Sequence, residues 1–215
     1  MLHQLISSIA GTFFSLFAIA NPIGAIPIFY SLTAGDTPRF QRLQARKTSI
    51  NVVLVLVVFL IAGRLILEFF GISLGVLRIA GGLLVAQTAW EMVAVRQRLT
   101  KFEGQEAVDK DDISFTPMAV PMVSGPGAIG VVIGLGVQAS DWIHYLGCLL
   151  GIVLLGITLY VCLAIGELIF KTLGTNGIGA FNRVLGFFIL AIAVQLIADG
   201  VFALLKDAAP SLFHQ

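Results

Sequence analysis

A chain of 215 residues that is 58% hydrophobic, only 12% charged and of net charge +1 excludes two broad classes. A soluble domain carries about 25% charged residues and could not hide so much apolar surface. A near-neutral chain also offers no basic field for nucleic acid. Lipid is the solvent that fits this composition.

Six apolar segments reach the roughly 20 residues that a membrane helix needs. They are Leu5–Leu32, Ser49–Phe69, Leu74–Val95, Thr116–Val137, Ile143–Phe170 and Phe181–Leu205. Ala18-Ile19-Ala20 has the look of a signal-peptidase site, but no Lys or Arg precedes it and the apolar run continues past Pro22. The predicted links are Thr33–Thr48, a turn near Gly71, Arg96–Phe115, Gln138–Trp142 and Lys171–Ala180. Arg96–Phe115 is the long polar one, and its mixed charges read as a solvated linker. Residues 1–95 and 116–215 then form two halves around a cytoplasmic linker over 96–115. Cys148 and Cys162 lie about 21 Å apart along one helix. That is too far to pair, and both read as small core residues.

Lys and Arg set the orientation. Arg39, Arg42, Arg46, Lys47, Arg96, Arg98, Lys101, Lys110, Lys171 and Arg183 fall on the side of the odd-numbered links, against Arg64, Arg78 and Lys206 on the other. The odd links are expected in the cytoplasm of a bacterial-type inner membrane, with both termini outside.

The halves resemble each other. Gly63 to Gly71 matches Gly166 to Gly174, Arg78-Ile79-Ala80-Gly81 matches Arg183-Val184-Leu185-Gly186, Ala86 matches Ala191 and Pro22 matches Pro126. Three spans per copy force the second copy to start from the opposite side. The expected fold is therefore an all-α integral membrane protein of two inverted three-helix repeats, an architecture of secondary transporters. Arg64 with Glu68, and Glu167 with Lys171, are spaced to pair on one helix face.

Five of the seven prolines fall in the first and fourth spans: Pro22 and Pro27, then Pro117, Pro121 and Pro126. Each removes a backbone donor and clashes with the preceding turn. Asn21-Pro22-Ile23-Gly24-Ala25 and Ser124-Gly125-Pro126-Gly127-Ala128 are expected to interrupt those helices at matching places, with Asn21 and Ser124 as N-caps of the half-helices that start there. Broken backbone in a bilayer must face protein or a wet cavity. The two new helix starts are expected to converge near the midplane and bind a small solute, their amides taking a carboxylate and the freed carbonyls an ammonium. A simple proline kink is the alternative.

The combination of Asn21-Pro22 with Gly24 and Pro27, Gly71-Ile72-Ser73, Leu77 to Gly82, Pro117, Pro121, Gly125 to Ile129, Arg183, Gly186-Phe187 and Gln195 resembles the MarC family of inner-membrane proteins through nearly the whole chain. Ser124 departs from it, standing where the family usually has Ala. The resemblance implies transport of small neutral amino acids such as glycine and alanine, as regarded for some archaeal relatives.

Other polar residues within the spans are candidates for gating or coupling. Gln195 and Asp199 share a face of the sixth span, and an intramembrane carboxylate is costly to leave in lipid. Glu91 lies near the cytoplasmic end of the third span, where pairing with Arg96 is the competing role. Arg78 and Arg183 occupy equivalent places, as gate residues or snorkelled cations. Coupling to H+ or Na+ is open. His3, His144 and His214 sit at the termini or in a loop, and no His-Glu-x-x-His appears. Neither a metal site, a cofactor nor an enzyme is expected. The rival function is export or flipping of a hydrophobic drug or lipid-linked solute, which needs a cavity open to lipid.

Overall fold

The computed structural model describes residues 1–94 and 112–209. Most of the linker expected over 96–115 lies outside them. All regular structure among the described residues is helical: α1 (Leu2–Ala20), α2 (Pro22–Leu32), α3 (Pro38–Phe70), α4 (Leu74–Val93), α5 (Ser114–Val123), α6 (Pro126–Gln138), α7 (Trp142–Ala164) and α8 (Gly166–Ala208). Five stretches are long and apolar enough to cross a bilayer. The pair α5–α6, bent by 69°, raises the number to six if it counts as one crossing. The chain is thus a multi-pass membrane protein, and its outward Leu, Ile and Phe side chains are the surface that lipid covers.

Two faces can be recognised from contacts. Gln4 of α1 donates to Asp141 before α7, Val137 of α6 lines one pocket with the Gly71 turn and Leu204 of α8 meets Gly75 of α4. These gather at what we term the N-terminal face. On the opposite, linker face, Tyr30 of α2 donates to the Leu163 carbonyl of α7 and Lys47 of α3 pairs with Asp112. The helices α4 and α8 run antiparallel in the most extensive helix pairing among the described residues, through Gly75, Gly82 and Ala89 on one side and Gly186, Ala193 and Gly200 on the other. The pair α1–α2 packs on α7, and the pair α5–α6 packs on α3.

Local chemistry explains where the helices differ from the predicted spans. The link expected over Thr33–Thr48 is mostly helix, because Thr37 caps the Phe40 amide and Pro38 takes the first helical position. Arg39, Arg42, Arg46 and Lys47 sit on the exposed side of that extension, while Gln44, Ala45 and Thr48 are buried. The span expected to run to Phe170 ends at Ala164, and α8 begins at Gly166, which packs against Ile26 and Tyr30 of α2. The link expected over Lys171–Ala180 is largely helical but falls on a kink that divides α8 in two, and the second segment, Asn176–Ala208, is the one long enough to cross a bilayer. Only Gly174 leaves helical geometry there, at φ 62°, a conformation glycine adopts without steric cost.

Where the chain re-enters the described structure it is anchored by Asp112. Burial works against its charge, but the Lys47 ammonium and the Ser114 hydroxyl and amide outweigh that and hold the carboxyl down, at about 2 against 3.8. A depressed carboxyl stabilises the fold fully above its ordinary value, and the contribution disappears as pH falls through about 2. Both partners are nearly half exposed, so the pair contributes less than about 1 kcal/mol. Asp112→Asn is expected to melt slightly below wild type in detergent at neutral pH and together with it near pH 2; a deficit that persists in acid would refute the assignment.

Candidate functional site

The first interruption is closed by its own side chain. Asn21 is 1% exposed and adopts a left-handed backbone, φ 46° and ψ 65°, which ends α1 and redirects the chain. Its Oδ1 accepts from the Gly24 amide at 3.0 Å, capping α2, and Pro22 at the first position of α2 has no amide to satisfy. Its Nδ2 donates to Asn182 Oδ1 of α8 at 3.2 Å and to Met92 Sδ of α4 at 3.7 Å. Pro22, Gly24 and Ala25 are buried and Ile23 half-buried. The expected solute-facing start of α2 is therefore packed into protein. Since α1 has 19 residues, about 28 Å of rise, Asn21 lies towards the linker face of the bundle.

The second interruption is open. Pro117 and Pro121 force Thr116 and Val120 into extended geometry, since a residue before proline disfavours the helical region. The widened coil that results is held by Met118 N–H to Ile113 C=O and Ser124 N–H to Ala119 C=O. Gly125, not Ser124, occupies the cap position of α6, and no side chain caps that helix. Ser124 ends α5 instead; it is fully buried, and its hydroxyl has no hydrogen-bond partner among the described residues. The first intrahelical bond of α6 is Ile129 N–H to Gly125 C=O, so the amides of Gly127 and Ala128 start the helix without a cap.

A cleft of about 280 Å³ opens at this helix start. Gly125, Pro126, Gly127 and Ala128 form one wall, with Pro121, Met122 and Val123 of α5. Leu84, Gln87, Thr88 and Glu91 of α4 form the other, and Ile19, two residues before the first interruption, closes one side. Gly127 is close to α4, where a Cβ would come within 2.9 Å of Val85 Cγ2. Across the cleft, Gln87 Nε2 donates to Glu91 Oε1 at 3.3 Å. The positive end of α6 and a carboxylate thus border one small cleft, whose walls are otherwise mostly apolar and whose Leu84, Pro121 and Pro126 are exposed at the surface of the bundle.

Of the predicted site residues, this cleft gathers Gly125, Pro126, Gly127, Ala128 and Glu91. It does not gather Arg78, half-buried in α4, or Arg183, exposed on α8. Gln195 Nε2 donates to Asp199 Oδ1 at 2.7 Å, beside Gly200 at the N-terminal face and at the other end of α4 from Glu91. The expected Arg64–Glu68 pair forms at 2.9 Å on the exposed side of α3. Gln87 and Thr88, which also line the cleft, were not among the predicted site residues. The four-residue spacing of Gln87 and Glu91 at the end of an apolar span was the signal that they share a face. Asn182 gave no signal, because its role comes from a residue 161 positions away.

A sequence model described as MarC family integral membrane protein matches residues 6–205. A UPF0056 membrane protein of Methanocaldococcus jannaschii is 38% identical, over 88% of this chain and 93% of its own length. The UPF0056 membrane protein YvbG of Bacillus subtilis is 33% identical, over 92% and 96%, and YhcE of Escherichia coli is 30% identical, over 94% of each. No solved structure matches the chain.

Proposed function

Because the chain belongs to the MarC family of integral membrane proteins, we propose that it is a secondary transporter of small neutral amino acids, of the glycine or alanine kind, and not an enzyme. The observation that carries this reading is the cleft in which the uncapped start of α6 borders Glu91. Free amides at a helix start favour a carboxylate, and Glu91 with Gln87 offers acceptors for an ammonium group. A volume of about 280 Å³ holds a solute of a few heavy atoms. The freed carbonyls expected to receive the ammonium give way here to a side chain.

In this reading the halves are inverted repeats, and the interrupted pairs α1–α2 and α5–α6 are the discontinuous first and fourth spans. Two features support it. Each pair packs on the second spanning helix of the other half, α1–α2 on α7 and α5–α6 on α3. The matched glycines Gly63 and Gly166 each receive an isoleucine from a helix that follows a break, Ile133 of α6 and Ile26 of α2. Alternating access then exchanges the two related arrangements, with coupling to H+ or Na+. The protein sits in the inner membrane with both termini outside, and the linker face is cytoplasmic.

Purified protein in liposomes is expected to take up labelled glycine and alanine saturably and to respond to an imposed proton or sodium gradient. Glu91→Gln is expected to lower that uptake about tenfold, the loss of roughly 1.4 kcal/mol of binding. Wild-type rates in Glu91→Gln, or the lack of saturable uptake in wild type, would reject the reading.

A further inference from the structure

A second hollow, an open groove of mixed polar and apolar lining, lies at the other end of the same two helices. It measures about 380 Å³ and is bordered by Ser8, Thr12 and Ser15 of α1, Gln138 of α6, and His144 and Cys148 of α7. Positions 8, 12 and 15 share one helix face, so α1 carries a stripe of hydroxyls in an otherwise apolar span. The Ser8 hydroxyl donates to the Gln4 carbonyl at 3.0 Å and the Thr12 hydroxyl to Cys148 Sγ at 3.5 Å. Their oxygens retain lone pairs for a guest. At the rim, Asp141 accepts from Gln4 Nε2 and from the His144 amide, both at 2.8 Å. Its carboxylate is thereby occupied as the cap of α7, and the walls present hydroxyls, an amide and an imidazole.

The helices α1 and α6 border both cavities. On α1, Ser15 faces this one and Ile19 the cleft at the second interruption, four residues and about 6 Å further on. On α6, Ala128 borders the cleft and Leu135 this cavity, about 10 Å apart. Leu16 and Val132, both fully buried, lie in those intervals.

We infer that the two cavities are the ends of one solute pathway along the α1–α6 seam, closed here by Leu16 and Val132, and that the cavity at the N-terminal face is a binding site for a small neutral or zwitterionic hydrogen-bonding solute. The inference rests on the transport reading for its purpose, but on the geometry for its path. Walls that set hydroxyls, an amide and an imidazole among Gly11, Leu135 and Ala139, without an acidic or basic side chain of fixed charge, select such a solute over an ion.

Cysteine accessibility tests it. In a Cys148→Ser, Cys162→Ser background, Ser8→Cys and Ser15→Cys are compared with Phe14→Cys, whose side chain points out of the bundle at 67% exposure. A charged, membrane-impermeant methanethiosulfonate is added to sealed vesicles from the N-terminal face. Ser8→Cys and Ser15→Cys are expected to react at least about tenfold faster than Phe14→Cys, because a charged reagent does not enter hydrocarbon. Millimolar glycine or alanine is expected to slow Ser15→Cys. Thr88→Cys in the far cleft is expected to stay unreactive from this side and to gain reactivity when Leu16→Ala is added. Ser15→Cys as inert as Phe14→Cys in protein that stays monodisperse overturns the site. Thr88→Cys unchanged by Leu16→Ala overturns the connection. Access as expected in a protein that moves no glycine or alanine upholds the pathway and counts against the amino-acid reading alone.

Discussion

Asn21→Ala is expected to destabilise the protein by about 2–4 kcal/mol and to abolish uptake. Three costs combine. The cap on α2 is lost, worth about 1 kcal/mol. The Gly24 amide, beside a fully packed Asn21, is left buried without its acceptor, at about 1–3 kcal/mol, which overlaps the cap. Alanine must then adopt φ 46° without the local hydrogen bonds that let asparagine tolerate it, at about 1–2 kcal/mol. Asn21→Gly removes the last cost alone, so it should fall between Asn21→Ala and wild type. Asn182→Ala breaks only the link to α8 and should cost about 1 kcal/mol. Thermal unfolding in detergent gives the order, and Asn21→Ala melting with wild type would sink the capping argument. Burial of Asn21 makes folding part of the effect, so Asn182→Ala is the cleaner probe of the link between the halves. Gly125→Leu would likewise disturb folding as well as the cleft, since a Cβ there would lie 2.6 Å from the Pro121 carbonyl oxygen.

Gly82→Leu and Gly200→Leu are each expected to prevent stable assembly, at about 3 kcal/mol or more. A Cβ on Gly82 would stand 2.9 Å from the Ala193 carbonyl oxygen, and one on Gly200 would stand 2.7 Å from the Gly75 carbonyl oxygen. Both obstacles are backbone, so no rotamer change relieves them. In a bilayer, helices gain nothing from hiding apolar surface from water, and close packing holds them together. Separating α4 from α8 therefore forfeits the main attraction. Gly179→Leu is the control, because nothing lies within 4 Å of the added Cβ. Gel-filtration profiles in detergent should show Gly179→Leu monodisperse and the other two aggregated; monodisperse Gly82→Leu with a normal melting temperature would refute the packing.

Apolar length and proline placement made much of this chain legible. The class follows because no soluble core can absorb 58% hydrophobic residues. The helix ends at Ala20 and Val123 follow from Pro22 and from the Pro117-Pro121-Pro126 series, since a missing donor acts through neighbours in the chain. Thr37-Pro38 was an equally local signal for the start of α3, overlooked because charge density favoured a link. The kink at Gly174, inside the link expected over Lys171–Ala180, was marked by its glycine, but the helix on either side of it was not, because a glycine weakens a helix without deciding how far its neighbours extend it.

By itself, then, the sequence determined the solvent, the helical class and the points of interruption, because each depends on composition or on bonds between near neighbours. Only the tertiary structure decided that the first interruption is sealed by Asn21 and Asn182 while the second lies open opposite Glu91. Both interruptions carry Pro after a small or polar residue and look alike in one dimension. Whether an amide at such a place is capped or free depends on side chains brought from other helices, and that proximity arises only when the bundle packs.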